Sequence, residues 1–394
     1  MFDTAIIGGG PAGCSAAITL AKRGARVVLF EAKPYPHDKL CGEFLSPECA
    51  GLLDELGLTP ALRALKPASI EIACLTAPDG TAWETRLPGV ALGLTRRALD
   101  AVLAEQAQGL GVEVRSATTV TDIQGSLSDG FELETRSERV QARTVIAAHG
   151  KRGALDRALG RTFLNVPQPF VALKSHFHGP PLPNRIELHG FPGGYCGLSE
   201  IETGAANVCF LAHESIFKSA AKAAPERLTE FLKWMPAQNA RLQAWLSQAK
   251  QINERWISIG QVPFVGKRPV EGDILIAGDA ASLIAPLAGD GIAIALQSGK
   301  LAAAGIAKFL DSQISANELR QHYAAEWRRA FNARFRLSRV LQAVMLRSHL
   351  LGPALRLINT IPFLGTYLVT QTRSNEPIVL NAKSLFYRRD RRDR

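Results

Sequence analysis

Gly8, Gly10 and Gly13 stand at the spacing G-x-G-x-x-G within AIIGGGPAGCSAA, residues 5 to 17, and Glu31 follows eighteen residues after Gly13. These residue types break no bonds; they admit phosphate. Gly8 permits a tight turn, Gly10 withholds a side chain that would block a pyrophosphate, and Gly13 lets a helix close on a strand. With Pro11 and Ala12 they form a loop at a helix N-terminus, whose free N–H groups and partial positive charge suit phosphate oxygens. Glu31, followed by Ala32, ends the next apolar run, where an acid can accept both ribose hydroxyls of an adenosine moiety. The pattern predicts a bound dinucleotide. Far downstream, GDILIAGDAASLIAPLAGDGIAIAL carries Gly278-Asp279 after an apolar run and Gly289-Asp290-Gly291 ahead of an apolar stretch that begins at Ile292. A second glycine-bearing element so distant predicts a grip on the other end of the same molecule.

The segments that must place these residues alternate in character. The run before Gly8 and ARVVLFEA read as buried strands, with CSAAITLAKRG as the helix between them. GLLDELGL and LTRRALDAVLAEQAQGLG read as helices, and SIEIACLTA and TAWETRLPG as strands about the turn PDG. GVEVRSATTVTDI, GFELETRS and RVQARTVIAAHG read as strands. Beyond the proline-rich FLNVPQPF, the segments VALKSHFHG, RIELHGFPGGYCGLSEIE and AANVCFLAHES alternate as an antiparallel sheet with one covered face would. PERLTEFLKWMPAQNARLQAWLSQA reads as helical. The expected fold class is α/β: a Rossmann-like nucleotide-binding domain with an inserted antiparallel β-sheet substrate domain and a C-terminal helical segment. Residues 1–62, 91–163 and 255–312 are assigned to the first, 63–90 and 164–254 to the second, and 313–394 to the third. No internal repeat is found, and no low-complexity tract precedes the terminal RRDRRDR.

A length of 394 residues with 46% hydrophobic and 21% charged side chains describes a globular chain with a sizeable core. The net charge of +10 is concentrated at one end: from Arg320 onward there are fifteen Lys and Arg against four Asp and Glu. The body is close to neutral, so nucleic acid is not an expected partner. Cys14, Cys41, Cys49, Cys74, Cys196 and Cys209 show no C-x-x-C pair, which argues against a metal site and a disulfide framework and for a reduced, cytoplasmic setting. A first strand starting near residue 3 leaves no room for a signal peptide, and no uninterrupted run of ~18 apolar residues is present. FRLSRVLQAVMLRSHLLGPALRLINTIPFLGTYLV interleaves arginine with apolar residues. It is read first as a helical cap closing the site and second as an interfacial helix pair in peripheral contact with a membrane.

In these motifs and their order, residues 1 to about 310 resemble the FAD-dependent oxidoreductases of the aromatic-hydroxylase type, the group A flavin monooxygenases. That superfamily also contains geranylgeranyl reductases and flavin-dependent halogenases. The resemblance implies FAD in a glutathione-reductase-type domain, with NAD(P)H as its reductant. It places Asp279, after Gly278, on the ribityl chain and the Gly289, Gly291 and Ile292 backbone at the N1/C2-carbonyl edge of the ring. Reduction puts negative charge on that edge, which a helix N-terminus stabilises. Arg96, in the R-x-x-x-D pattern with Asp100, matches an arginine near the FAD phosphates; the alternative is a solvated helix residue. Lys39, Cys41 and Gly42 in DKLCGE resemble a K-x-C-G loop beside the isoalloxazine. Cys41 is the one catalytic candidate and reads equally as a small buried filler. Asp290 is expected to be a loop acid, with nothing local to raise its pKa.

The chain departs from the family at two places. His149-Gly150 replaces the usual Asp-Gly, which leaves FAD binding intact and the choice of nicotinamide open; His149 is read as a strand-end polar residue. Gly197 and Ser199-Glu200 stand where geranylgeranyl reductases carry tryptophan and Phe-Pro, and the W-x-W-x-I-P stretch of the halogenases is absent. The leading expectation is a monooxygenase: NAD(P)H reduces FAD, and the reduced flavin with O2 oxygenates an apolar or aromatic small molecule. That substrate should lie between the flavin and the sheet of residues 165 to 215. The second reading is a geranylgeranyl-reductase-like flavoprotein acting on C=C bonds of an isoprenoid or lipid. A third, of another class, is a non-catalytic Rossmann-type escort for a lipid or partner.

Overall fold

The computed structural model describes residues 1–220 and 226–373; the terminal RRDRRDR and Pro225 lie outside them. The chain opens with β1 (Phe2–Ile7), α1 (Pro11–Ala21) and β2 (Val27–Phe30), the two strands parallel with Ile7 beside Phe30. Then come β3 (Phe44–Leu45), α2 (Glu48–Glu55), α3 (Thr59–Leu65) and the hairpin of β4 (Ala68–Thr76) with β5 (Ala82–Gly93). Helix α4 (Arg96–Gly109) starts at Thr95, whose hydroxyl accepts the Ala98 N–H at 3.2 Å. It leads to β6 (Glu113–Arg115), β7 (Val120–Ser126), β8 (Gly130–Thr135), β9 (Arg139–Ala147) and α5 (Ala154–Ala158).

The next run is β10 (Phe170–His178), β11 (Arg185–Phe191), β12 (Gly194–Glu200) and β13 (Ala206–His213), then α6 (Glu214–Ser219), α7 (Arg227–Trp234) and α8 (Ala240–Leu246). The sequence pattern predicts the last two as one helical stretch. Pro236, which has no N–H to continue a helix, begins a short 3-10 turn between them. The chain closes with β14 (Lys250–Gln251), β15 (Ile257–Ile259), β16 (Val270–Glu271) and β17 (Ile274–Ile276). Helices α9 (Gly291–Leu310), α10 (Ala316–Met345), α11 (Ser348–Thr360) and α12 (Pro362–Gln371) complete it.

Two sheets result. The first has the order β16-β17-β9-β1-β2-β6, with β7 and β8 continuing from β9. Its members β17, β9, β1, β2 and β6 are parallel. β2 and the inner ends of β1 and β9 read as apolar runs because they are buried on both faces. The second sheet, β14-β10-β13-β12-β11-β4-β5-β3, is antiparallel except where β4 meets β11. Phe44–Leu45 and Ile257–Ile259, assigned from sequence to the nucleotide-binding segments, pair into this second sheet. Phe191, Phe210 and Phe231 form an aromatic core behind it. The architecture is the expected α/β class with a helical C-terminal region.

Packing between helices positions the glycine loops. Helices α1 and α9 cross so closely that a β-carbon on Gly299 would fall 2.1 Å from the Ala12 carbonyl oxygen, and Ser15 Oγ donates to the Leu296 carbonyl at 2.8 Å. Helix α9 is long and apolar enough to cross a membrane, yet it lies in the first core beside α1 and α10. Helix α10, which the charge count groups with a basic appendage, places Leu319, Tyr323, Trp327, Phe331 and Phe335 in that same core. Tyr323 Oη donates to the Ile276 carbonyl at 2.7 Å. Apart from the buried Arg334, its arginines reflect one solvated face of an integral helix.

Gly299→Ala is expected to separate α1 from α9 and cost about 2 kcal/mol, the usual scale of core overpacking. Urea unfolding of the purified variant checks it; an unchanged midpoint would mean that the crossing is not tight.

Candidate active site

The phosphate loop is built from the crossing outward. A β-carbon on Gly13 would lie 1.8 Å from the Gly8 carbonyl oxygen, so α1 can begin this close to β1 only with glycine there. Gly10, the N-cap of α1, has no side chain to satisfy the first-turn N–H groups. The space a Gly10 side chain would fill is bordered by Arg96 Nη2 at 3.3 Å and Lys39 Nζ at 3.9 Å. Both cations are held in place. Arg96 forks onto Asp100 with bonds of 2.9 and 2.8 Å, and Lys39 reaches Asp100 at 3.3 Å and Glu31 at 3.0 Å. A helix N-terminus and two anchored cations around a cleared space suit a pyrophosphate. Arg96 is therefore a wall of the cradle and not a solvated helix residue.

Glu31 is buried, and its Oε2 accepts the Gly9 N–H at 3.0 Å while Oε1 accepts the Lys33 N–H at 3.2 Å. It holds the glycine loop as well as facing the cavity with Ala32.

At the opposite end Asp279 sits in the turn after β17, and Lys267 Nζ holds that turn through the carbonyls of Lys151 and Asp279 at 2.7 and 3.0 Å. The Asp279 carboxylate lines the cavity and has no hydrogen-bond partner among the described residues. Gly278, Gly289, Gly291 and Ile292 line the same cavity, Gly291 opening α9. An unpaired acceptor beside a helix N-terminus suits a polyhydroxyl chain and an electron-rich ring edge. Together with the phosphate cradle, these residues fit FAD.

Asp290 departs from the loop acid expected of it. It is fully buried, accepting from Arg334 Nη1 at 2.7 Å and Ser46 Oγ at 3.3 Å. Burial, reinforced by the charge of Glu48 and opposed by Arg334, pushes its carboxyl up to about 6. No local pattern signals this, because Arg334 arrives from α10.

Cys41 lies in the loop that joins the two halves of the site. It lines the cavity, its Sγ accepts the Glu43 N–H at 3.4 Å, and its carbonyl accepts from Asn207 Nδ2 at 3.3 Å. A side chain at Gly42 would meet nothing within 4 Å, so the loop faces open space. Glu43, which sequence reasoning missed, anchors this loop. Its fully buried carboxylate is paired with Lys174 Nζ and lies 2.7 Å from His176 Nε2, both on β10; it also accepts the Arg96 N–H at 2.9 Å. Burial raises its pKa, but the His176 hydrogen bond and the Lys174 charge outweigh this and hold it below the usual range. The only sequence signal is a lysine set directly after the apolar residues 171–173 in VALKSHF.

His149, expected as a strand-end polar residue, has a partner. Its Nε2 lies 3.0 Å from Asp156 Oδ1, which also accepts from Arg161 Nη1 at 2.9 Å. Against the effect of burial, the His149 hydrogen bond and charge help hold Asp156 near 2. Among the described residues no group of three or more His, Cys, Asp or Glu could hold a metal.

The cradle is one end of a single cavity of about 910 Å³, whose other end, away from the glycines, is an apolar arm. Leu75 and Trp83 from the β4–β5 hairpin, Leu188 and Tyr195 from β11 and β12, and Leu355 and Leu364 from α11 and α12 contribute to its walls.

The family described as FAD binding domain matches residues 1–336. The menaquinone reductase of Mycolicibacterium smegmatis is 26% identical over 369 residues, covering 86% of this chain and 84% of that protein. Digeranylgeranylglycerophospholipid reductase 1 of Methanopyrus kandleri is 27% identical over 384 residues, covering 93% and 94%. Among solved structures, the flavin-dependent halogenase CmlS is similar at TM-score 0.72 and 26% identity, over 85% of this chain and 63% of its own longer one. The brominase Bmp2 shares the fold at TM-score 0.75 and 17% identity, over 98% and 97%.

Asp279→Ala removes an acceptor with no other protein duty, so FAD retention should weaken about ten- to hundredfold with unfolding barely changed. Flavin absorbance after gel filtration reads it. Asp290 supplies a pH dependence. Its carboxyl titrates near 6 folded and near 3.9 unfolded, so the folded state binds the extra proton and this group's contribution declines as pH rises from about 4 to about 6. Across that window the unfolding free energy of wild type should fall relative to Asp290→Asn by roughly 2–3 kcal/mol. A constant difference in urea titrations would show that the buried carboxyl is not protonated first.

Proposed function

This chain belongs to the FAD binding domain family and is an FAD-dependent oxidoreductase, and we propose that it reduces carbon–carbon double bonds in the prenyl chain of a lipid or quinone. The observation that carries this reading is the apolar arm of the cavity, continuous with the cradle and walled by the second sheet, α11 and α12. Such apolar walls suit a hydrocarbon better than a compact ring bearing polar groups. Two relatives that match most of the chain are named for a menaquinone and for a digeranylgeranyl glycerophospholipid, both prenyl-bearing molecules.

When bound, the flavin supplies the hydride. The chain must supply a proton to the second carbon, an apolar wall that excludes water, and a grip on the hydrocarbon. Tyr195 lines the cavity, and its Oη accepts the Leu287 N–H at 3.1 Å, which leaves its own hydrogen free to point elsewhere. Burial raises its pKa well above the ordinary tyrosine range, so Oη keeps its proton until a developing carbanion takes it. NAD(P)H is the proposed reductant, supported by Lys151 and Arg152, two cations in the cavity wall beside His149 that suit an anionic nucleotide.

Oxygenation of an apolar substrate is the second reading. It uses the same cradle and is supported by the same water-excluding wall. One experiment separates the two. Holoprotein reduced with dithionite under anaerobic conditions should convert a prenylated lipid to a product heavier by two hydrogen atoms. A product that forms only on admission of O2, heavier by one oxygen atom, would favour oxygenation, and no product in either gas would favour an escort. Tyr195→Phe is expected to lower kcat about a hundredfold or more, with flavin absorbance retained; unchanged turnover would remove Tyr195 as the donor.

A further inference from the structure

The outer surface of α11 and α12 differs from the rest of the molecule. Leu350 is 40% exposed, Leu357 52%, Ile361 47%, Phe363 77% and Tyr367 49%. The Phe363 and Tyr367 rings stack on each other at 6.1 Å, one helical turn apart. Single exposed apolar residues are ordinary, but five on two consecutive helices and the residue that joins them form a patch. Its charge is one-sided. Between Glu326 and Glu376 the sequence contains eight arginines and no Asp, Glu or Lys. Arg334 is spent on Asp290 and Arg356 pairs with Asp79, while Arg336, Arg339, Arg347 and His349 are exposed.

The inner faces of the same helices close the cavity. Leu351, Leu355 and Ile358 of α11 and Leu364 and Leu368 of α12 line its apolar arm. Leu357 belongs to both surfaces: it lines the cavity and is half exposed. At Leu357 the wall of the arm meets the outer patch. A second copy of the chain is a poor occupant: Arg356 is already paired with Asp79, and the exposed Arg336, Arg339 and Arg347 of two copies repel one another. An anionic bilayer offers hydrocarbon for Phe363 and Ile361 and phosphate for the arginines.

We propose that α11 and α12 dock this protein on an anionic phospholipid bilayer, with the cavity mouth at the boundary between headgroups and acyl chains. The purpose of docking rests on the proposed lipid substrate: a prenyl chain passes from the bilayer past Leu357 into the arm without crossing water. The helices lie on the membrane and do not span it.

The test uses the full-length, FAD-loaded protein and vesicles of phosphatidylcholine with or without phosphatidylglycerol. Co-sedimentation should be strong with the anionic vesicles, weak with phosphatidylcholine alone, and reduced by salt. Ile361→Asp with Phe363→Asp and Tyr367→Asp, three residues outside the cavity wall, should weaken binding to anionic vesicles at least about tenfold with flavin absorbance unchanged. Should that variant fail to fold, Phe363→Asp alone should give a several-fold loss. The proposal is overturned if wild type ignores anionic vesicles, or if the patch variants bind as wild type does. It is equally overturned if binding is lost only on replacing the terminal arginines from Arg388 to Arg394 by serine, or if the patch variants dissolve a dimer instead. Turnover of a detergent-dispersed prenyl substrate should be the same in wild type and patch variant. Its absence from both would strike at the reductase reading and leave docking standing.

Discussion

Helices α1 and α9 cross with no room for a β-carbon between Gly299 and the Ala12 carbonyl, and that crossing aims two helix N-termini at one cavity. Each terminus carries about half a positive charge on unsatisfied N–H groups. One meets the place where phosphate fits, beside Gly10, and the other, beside Gly291, a space that suits the electron-rich edge of a ring. The sheet fixes the lateral spacing. β1, β9 and β17 lie side by side in parallel, so the loops that leave their C-terminal ends emerge on one edge. The glycine loop, His149-Gly150 and Gly278-Asp279 are those loops.

Around this frame three further buried carboxylates hold loops in place, two of them by joining segments far apart in the chain. Glu43 ties the Cys41 loop and the start of α4 to Lys174 and His176 of the second sheet. Asp290 ties the α9 N-terminus to Arg334 of α10. Asp156 ties α5 to His149 and Arg161. Desolvating such groups is costly, and apolar replacements would often be as stable. What the ion pairs confer is geometry: a carboxylate held between two donors leaves a loop one position. The Cys41–Gly42 segment, which borders the cavity, is positioned in this way.

The C-terminal helices divide their labour. Helix α10 is core, with Trp327 and Phe335 stacked at 5.5 Å. Helices α11 and α12 form one wall of the apolar arm and present arginine and aromatic side chains outward. The cap expected from sequence is present, and a cap that is apolar on both faces is also suited to a lipid interface. In the proposed reduction, the apolar wall, the proton kept at Tyr195 by burial, and the flavin cradle would serve a single requirement, a hydride and a proton delivered to hydrocarbon away from water.

The nucleotide grip was legible in the sequence because its signals are local. The Gly8–Gly13 spacing, Glu31 at the end of β2, and Gly278-Asp279 with Gly289–Gly291 each lie within one strand–turn–helix unit, where backbone geometry dictates residue type. The α/β class followed from the same periodicities. What escaped were interactions between units. Glu43 and Lys174 are 131 residues apart and Asp290 and Arg334 are 44 apart, and no local pattern foretells either pair. Asp290 has the sequence context of an ordinary loop acid because a pKa depends on burial and on neighbours that only packing supplies. The core role of α10 was hidden by arginines on one face of a helix whose other face is apolar. Local spacing determined what the chain binds and where the loops turn. Tertiary packing decided which charges are buried, how large the cavity is and what it excludes, since those depend on distances between segments that sequence spacing does not encode.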